Sequence, residues 1–207
     1  MAADPGEATR LLERVRAGDV EASRELFDRL YADMRRIAGR LFRSQRAGHT
    51  LEPTALVHEA FVKIAGRENE ARWKDGSHAL AVAARAMRQV LANHARDRAA
   101  QKRGGGPARA RVTLAGVAIG DATGAGVDLL DFHDALERLA ALDERQAKIA
   151  EMRLLGGLPV ESIATLLGVS TRTVELDWRM AKDALARFLG SAEAGGGEGE
   201  KVSAPRE

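Results

Sequence analysis

Apolar residues recur at helical spacing over two long stretches of this chain, and a glycine-rich stretch without that spacing separates them. Leu26, Phe27, Leu30, Tyr31, Met34, Ile37, Ala38 and Leu41 follow the i, i+3, i+4 rule. Leu56, Val57, Ala60, Phe61 and Ile64 form a second stripe, with Pro53 tolerable in its first turn. Leu80, Ala83, Ala84, Met87, Val90 and Leu91 form a third, preceded by Ser77 as a cap. Asp19 is placed to cap the helix of the first stripe, and Gly18 to stop a short helix over Glu7–Ala17. Spacing resumes with Phe132, Ala135, Leu136, Leu139 and Leu142 and continues to Leu189. No stretch alternates as a strand would. The predicted fold is all-α, with two small helical domains over residues 8–103 and 132–190. Residues 104–131 are small and glycine-rich, a composition that reads as a flexible linker. Residues 191–207 read as a disordered tail.

Composition narrows the function. Cysteine is absent, which removes disulfides, thiolate metal sites and cysteine nucleophiles. No run of apolar residues is long enough to span a bilayer, and Met1 to Gly6 lacks the basic end and apolar run of a secretory signal. A cytoplasmic protein without membrane insertion is expected. The net charge of +2 hides an asymmetry. Residues 1–110 carry 21 Lys and Arg against 14 Asp and Glu, whereas residues 111–207 carry 11 against 16. From Arg85 to Arg111 there are eight basic side chains and one acid, Asp97. A solvated helix face can look like this, but so does the footprint of a polyanion binder.

The sharpest motif lies in the second helical stretch. Asp143 with Gln146 has the spacing of a capping box. Pro159 suits a helix start, and Val160, Ile163, Ala164 and Leu167 give that helix one apolar face. Gly168 permits a left-handed turn residue, Val169 plugs the angle between two helices, and Ser170 caps the next one. Short helix, glycine turn and capped second helix make a helix-turn-helix, with an ordinary αα-hairpin as the plain alternative. On the second helix Val174, Trp178, Ala181 and Leu185 share one stripe, so Trp178 is read as core. Arg172, Leu176, Arg179 and Asp183 lie opposite, with Glu175 and Lys182 to one side. Arg172 and Arg179 are candidates for guanine or phosphate, Glu175 for cytosine, and exposed Leu176 for a thymine methyl. Ser170, Thr171 and Thr173 complete the candidate DNA-binding set at the helix start.

The order of the pieces resembles the extracytoplasmic-function subgroup of bacterial sigma-70-type factors. Leu11 to Asp19, followed by Ala22, Leu26, Phe27 and Tyr31, is similar to the opening of that family's first conserved domain. Pro53 to Lys63 is similar to the helix that clamps a coiled coil of the polymerase's largest subunit. The resemblance implies core RNA polymerase as partner, with Leu56, Val57, Glu59, Phe61 and Lys63 at the contact. Trp73 to Arg103 is similar to the element that opens and reads the −10 promoter region. Trp73, Lys74, Ser77, Arg85, Arg88, Asn93, Arg96, Arg98, Lys102 and Arg103 are therefore the candidate −10 residues. A basic helix can track phosphates while an aromatic surface captures an extruded base; Trp73 can serve that way or as a helix-packing residue. The helix-turn-helix matches the domain that reads −35 duplex. The linker would then span two promoter elements about two helical turns of DNA apart.

Two departures stand out. Relatives usually carry an acidic pair before the clamp helix, where this chain has Glu52-Pro53-Thr54, and many have Asp where Asn93 stands. The resemblance also implies control by an anti-sigma factor or a kinase-linked regulator, though no residue names which. The rival reading is a stand-alone helix-turn-helix transcriptional regulator; a third is a plain interaction protein whose basic helix binds an acidic partner. Enzyme readings find no support. His58-Glu59 begins like a zinc-protease motif but lacks the later His, Gly104 to Gly106 has no Lys-Ser/Thr companion, and the five histidines are scattered. No catalytic residue, metal or cofactor is expected.

Overall fold

The computed structural model describes residues 5–42, 51–64, 73–101, 111–112 and 127–195. Helix α1 (Pro5–Arg16) turns into α2 (Val20–Leu41) through Gly18, whose φ of +87° is open to glycine and strained for other residues. Asp19 caps α2: its Oδ1 accepts the Glu21 and Ala22 N–H groups, both at 3.0 Å. Its Oδ2 takes the Arg14 guanidinium at 2.7 Å. The Ala22 amide and Arg14 together hold the Asp19 carboxyl below the usual range. Leu26, Leu30, Met34, Ile37, Ala38 and Leu41 are buried as the spacing required, with Phe27 and Tyr31 half-buried beside them.

Helix α3 (Pro53–Ile64) begins on its proline, where no amide donor is needed. Helix α4 (Gly76–Gln101) starts one residue before Ser77, so the expected serine cap is corrected to Asp75. The Asp75 Oδ1 accepts the His78 N–H at 2.8 Å, and Ser77 is buried inside the first turn. Trp73, just ahead of α4, is 2% exposed and meets Phe27 edge to face at 6.5 Å. Arg16 donates to the Trp73 carbonyl and ties α1 to this entry.

Among the described residues the strand content is one two-residue antiparallel pairing, β1 (Arg111–Val112) with β2 (Val127–Asp128), so the class is all-α. Asp128 ends the pairing and caps α5 (Leu129–Leu142), its Oδ1 accepting from Leu130 and Asp131. The helix therefore starts ahead of Phe132, with Leu129 buried. Its packed stripe ends at Leu139; Leu142, read as the next member, is 74% exposed on the last residue of the helix. Asp143 caps α6 (Glu144–Glu151) by accepting the Gln146 N–H at 3.0 Å. The Gln146 side chain instead reaches Met180 Sδ, so only half of the capping box forms. A π-helical turn over Met152–Gly156 closes on Gly157 at φ +67°. Helices α7 (Val160–Leu167) and α8 (Thr171–Gly195) follow, with α8 continuing past the boundary read at residue 190. Most of the expected linker, and the tail beyond Gly195, lie outside the described residues.

Helix α4 is the common wall of the molecule. One side packs on α1, α2 and α3; the other packs on α5, α6, α7 and the π-helical turn. The buried apolar side chains on both sides form one continuous cluster. Each large buried side chain such as Phe132 or Leu56 contributes roughly 1.5–3 kcal/mol by leaving water.

Candidate nucleic-acid interface

The helix-turn-helix forms as its residues dictate. Ile163 and Ala164 are buried, and Val160 and Leu167 half-buried, on the inner face of α7. Gly168 adopts φ +67° and its N–H returns to the end of α7, while half-buried Val169 fills the angle. Ser170 Oγ accepts the Thr173 N–H at 3.1 Å and lies 2.8 Å from Thr173 Oγ1. Val174, Ala181 and Leu185 are fully buried and Trp178 is 8% exposed, which makes the tryptophan a core residue. Thr171, Arg172, Glu175, Leu176 and Arg179 are exposed on the first three turns of α8, and Thr173 is half-buried. Lys182 is half-buried because its ammonium lies over the Trp178 ring, 5.5 Å from the centroid. Arg153 approaches the same ring at 5.8 Å.

One determinant of this surface carries no sequence signature. Asp177, buried on α8, accepts from Arg145 Nε at 2.7 Å, and that bond raises the arginine pKa. The pair fixes α8 against α6, so the exposed face has a set orientation. Helical spacing alone assigned Asp177 to no role, since an aspartate between two stripes looks solvated.

Helix α4 is arranged differently from the basic face read in the sequence. Arg85 and Asn93 are exposed. Arg88 is buried at 4% and is the hub of an ion cluster. Its Nε donates to Glu151 Oε1 at 2.6 Å, and its Nη1 to Glu137 Oε1 at 3.0 Å and His133 Nδ1 at 2.6 Å. Donation to Nδ1 sets His133 as the neutral tautomer with its proton on Nε2. Burial, then the charges of Arg88 and Arg96, push the His133 pKa down. Burial raises the Glu137 carboxyl, but the Arg88 bond and charge outweigh it and leave it below the usual range. Arg96 Nη2 lies 3.5 Å from Asp134 Oδ1. Of the other candidates on this element, Lys74 is exposed and Trp73 and Ser77 are buried. Trp73 in this arrangement packs the fold and presents no ring to a base. The Arg98 side chain, Lys102 and Arg103 lie outside the described residues.

On α3, Leu56 and Val57 are fully buried, and Phe61 is half-buried with Phe27 at 5.4 Å and Tyr31 at 6.0 Å. These three hold the helix, while Glu59, Lys63 and 76%-exposed Val62 form its outer face. Glu59 Oε2 pairs with His94 Nε2 at 2.8 Å and Tyr31 Oη with His58 Nε2 at 2.8 Å, so both histidines have a partner that spacing did not indicate.

Among the described residues no three His, Asp or Glu side chains converge in a way that would hold a metal ion, and no helix is long and apolar enough to cross a membrane. No curated protein and no solved structure matched the chain. A family model described as ECF sigma factor matches residues 5–190, a span that runs from α1 through α4 to the helix-turn-helix. The chain therefore belongs to the ECF sigma factor family, whose members are DNA-binding regulators of transcription initiation rather than enzymes.

Proposed function

We propose that this chain binds core RNA polymerase and directs it to promoters, reading −35 duplex with α8 and capturing the displaced −10 strand along α4. The observation that carries the reading is the open face of α8. Arg172, Glu175, Leu176 and Arg179 stand exposed on a helix whose other side is locked by Val174, Trp178 and the Arg145–Asp177 pair. Such a face fits a major groove, with the arginines toward guanine or phosphate, Glu175 toward cytosine and Leu176 toward a thymine methyl. Thr171 and Thr173 at the helix start, with Ser170 as cap and Lys182 on the rim, suit the flanking phosphates.

On α3 the polymerase contact falls to Glu59, Lys63 and Val62, with Leu56, Val57 and Phe61 holding the helix in place. On α4 the strand-binding cations are Arg85, Arg96 and Arg98, continued by Lys102 and Arg103, with Lys74 just ahead of the helix and Asn93 between Arg85 and Arg96, while buried Arg88 holds α4 against α5 and α6. Core polymerase and promoter DNA are the partners, and control by an anti-sigma factor or a kinase-linked regulator accords with the family. A permanganate footprint of promoter opening tests the reading: Arg96→Glu with Arg98→Glu abolishes it while −35 duplex binding persists. Opening that survives the double variant would place the strand elsewhere.

A further inference from the structure

Between α4, α6 and α7 the surface opens into a crevice of about 270 Å³. Its wall is aliphatic: Val82 on α4, Met152 on the π-helical turn, and Leu166 and Leu167 at the end of α7. Val82, Leu166 and Leu167 are only half-buried, so the wall keeps apolar surface in contact with water. Three exposed cations stand around it: Lys74 just ahead of α4, Arg85 further along that helix, and Lys148 on α6.

The acids nearby are already matched. Glu151, which also lines the crevice, accepts from Arg88 Nε at 2.6 Å. Lys148 pairs with Glu144 at 2.7 Å, but both are exposed, and surface pairs of this kind hold little free energy. Arg85 forms no ion pair among the described residues; its charge bears on Glu137 and Glu144 only from further away. His78 adds a donor without adding charge. Its Nδ1 accepts the Lys74 N–H at 2.9 Å, which sets the proton on Nε2, and burial pushes its pKa down.

An aliphatic wall beneath three cations and an N–H donor fits an acyl chain that ends in a carboxylate. The chain leaves water against Leu166 and Leu167, and the Arg85 guanidinium can take both oxygens of the head group. Among the described residues no aromatic side chain lines the crevice, so a nucleobase would find nothing to stack on. We propose that this crevice is an effector site for a medium-chain aliphatic carboxylate, and that its occupation withdraws Lys74 and Arg85 from the −10 strand. The second half of the proposal rests on the assignment of α4 to strand binding; the site itself does not.

Isothermal titration calorimetry of the full chain with sodium octanoate reads the site directly. Saturable one-to-one binding is expected. Octanol lacks the charge and acetate lacks the chain, so each should bind at least about tenfold more weakly. Lys148→Glu and Leu166→Gln lie outside the residues assigned to polymerase or DNA. Each is expected to lower octanoate affinity about tenfold, and circular dichroism confirms that both variants keep their helices. The absence of saturable binding, equal binding of octanol or acetate, or unchanged affinity in both variants would overturn the site. The permanganate footprint, repeated with core polymerase at saturating octanoate, tests the second half. Opening is expected to fall severalfold with the wild-type chain and to change little with Lys148→Glu. Octanoate binding without that fall would overturn the effect on the strand. A footprint absent even without octanoate would overturn the strand-binding reading, and the second half with it, while calorimetry would still decide the site.

Discussion

Arg145 on α6 and Asp177 on α8 are joined at 2.7 Å, the carboxylate almost wholly buried and the guanidinium half in solvent. The bond fixes the rotation of α8 about its own axis, and with it the direction in which Arg172 and Arg179 point. Replacing Arg145 with Met leaves a buried carboxylate without its donor, a loss of about 1–3 kcal/mol. Thermal unfolding should show that loss, and gel shifts of −35 duplex should weaken although Arg145 touches no DNA. The milder Asp177→Asn keeps an acceptor and should cost less in both assays.

At Gly157 the backbone sits at φ +67°, and an added Cβ would come within 2.6 Å of Arg40 Nη1. Gly157→Ala therefore meets two penalties: the left-handed conformation, about 1–2 kcal/mol, and displacement of Arg40 from the π-helical turn. Chemical denaturation should register the destabilisation. Gly168→Ala shares the φ of +67° but has open space around its Cβ position, so it should be the milder of the two.

The cluster around Arg88 makes stability depend on pH in a direction fixed by its histidine. His133 on α5 faces Arg88 and Arg96 of α4, with Glu137 and Asp134 of its own helix nearby. Its pKa is depressed in the folded chain, so the unfolded chain takes up the proton first. Stability is therefore full above the unfolded value of 6.5 and falls as pH drops below it. Glu137, also depressed, contributes stability that is present above 4.5 and lost as pH falls below that. His78, depressed chiefly by burial, acts in the same direction as His133. Melting curves between neutral and mildly acidic pH should show the decline, and His133→Asn and His78→Gln should each flatten part of it.

Base discrimination should separate Arg172 from the cations beside it. If Arg172 reads a guanine edge, Arg172→Ala costs about 1–3 kcal/mol at one base pair and relaxes selectivity there. Lys182, drawn onto Trp178, should change affinity evenly across sequences and lower the salt dependence when replaced by Ala. Selection of bound duplexes from a randomised pool distinguishes the two patterns.

Periodicity was enough to reveal α2, α3 and the helix-turn-helix, because each buries a single stripe: Leu26 to Leu41, Leu56 to Ile64, and Val174 to Leu185. The caps at Asp19, Asp143 and Ser170 followed from the same local chemistry. Helix α4 was harder to read, because it is buried on two sides. Arg88 looks like a member of a basic face when only its neighbours in sequence are considered. Its burial depends on Glu137, Glu151 and His133, which lie 45 to 63 residues away. Glu59 with His94 and Arg145 with Asp177 were invisible for the same reason. Pairs set by tertiary contact leave no spacing to detect, whereas a capped turn does. Trp73 illustrates a different limit, since a tryptophan ahead of a basic helix fits either role until Phe27 is seen against its ring.

Reconstitution tests the central claim most directly. The purified chain is mixed with sigma-free core RNA polymerase, passed through a sizing column at moderate salt, and the complex is supplied with genomic DNA for mapping of transcript 5′ ends. Co-elution with discrete start sites, preceded by shared −10 and −35 sequences, is the predicted result. Failure to co-elute, with the chain alone still retarding specific duplexes, would contradict it and assign the helix-turn-helix to a stand-alone regulator.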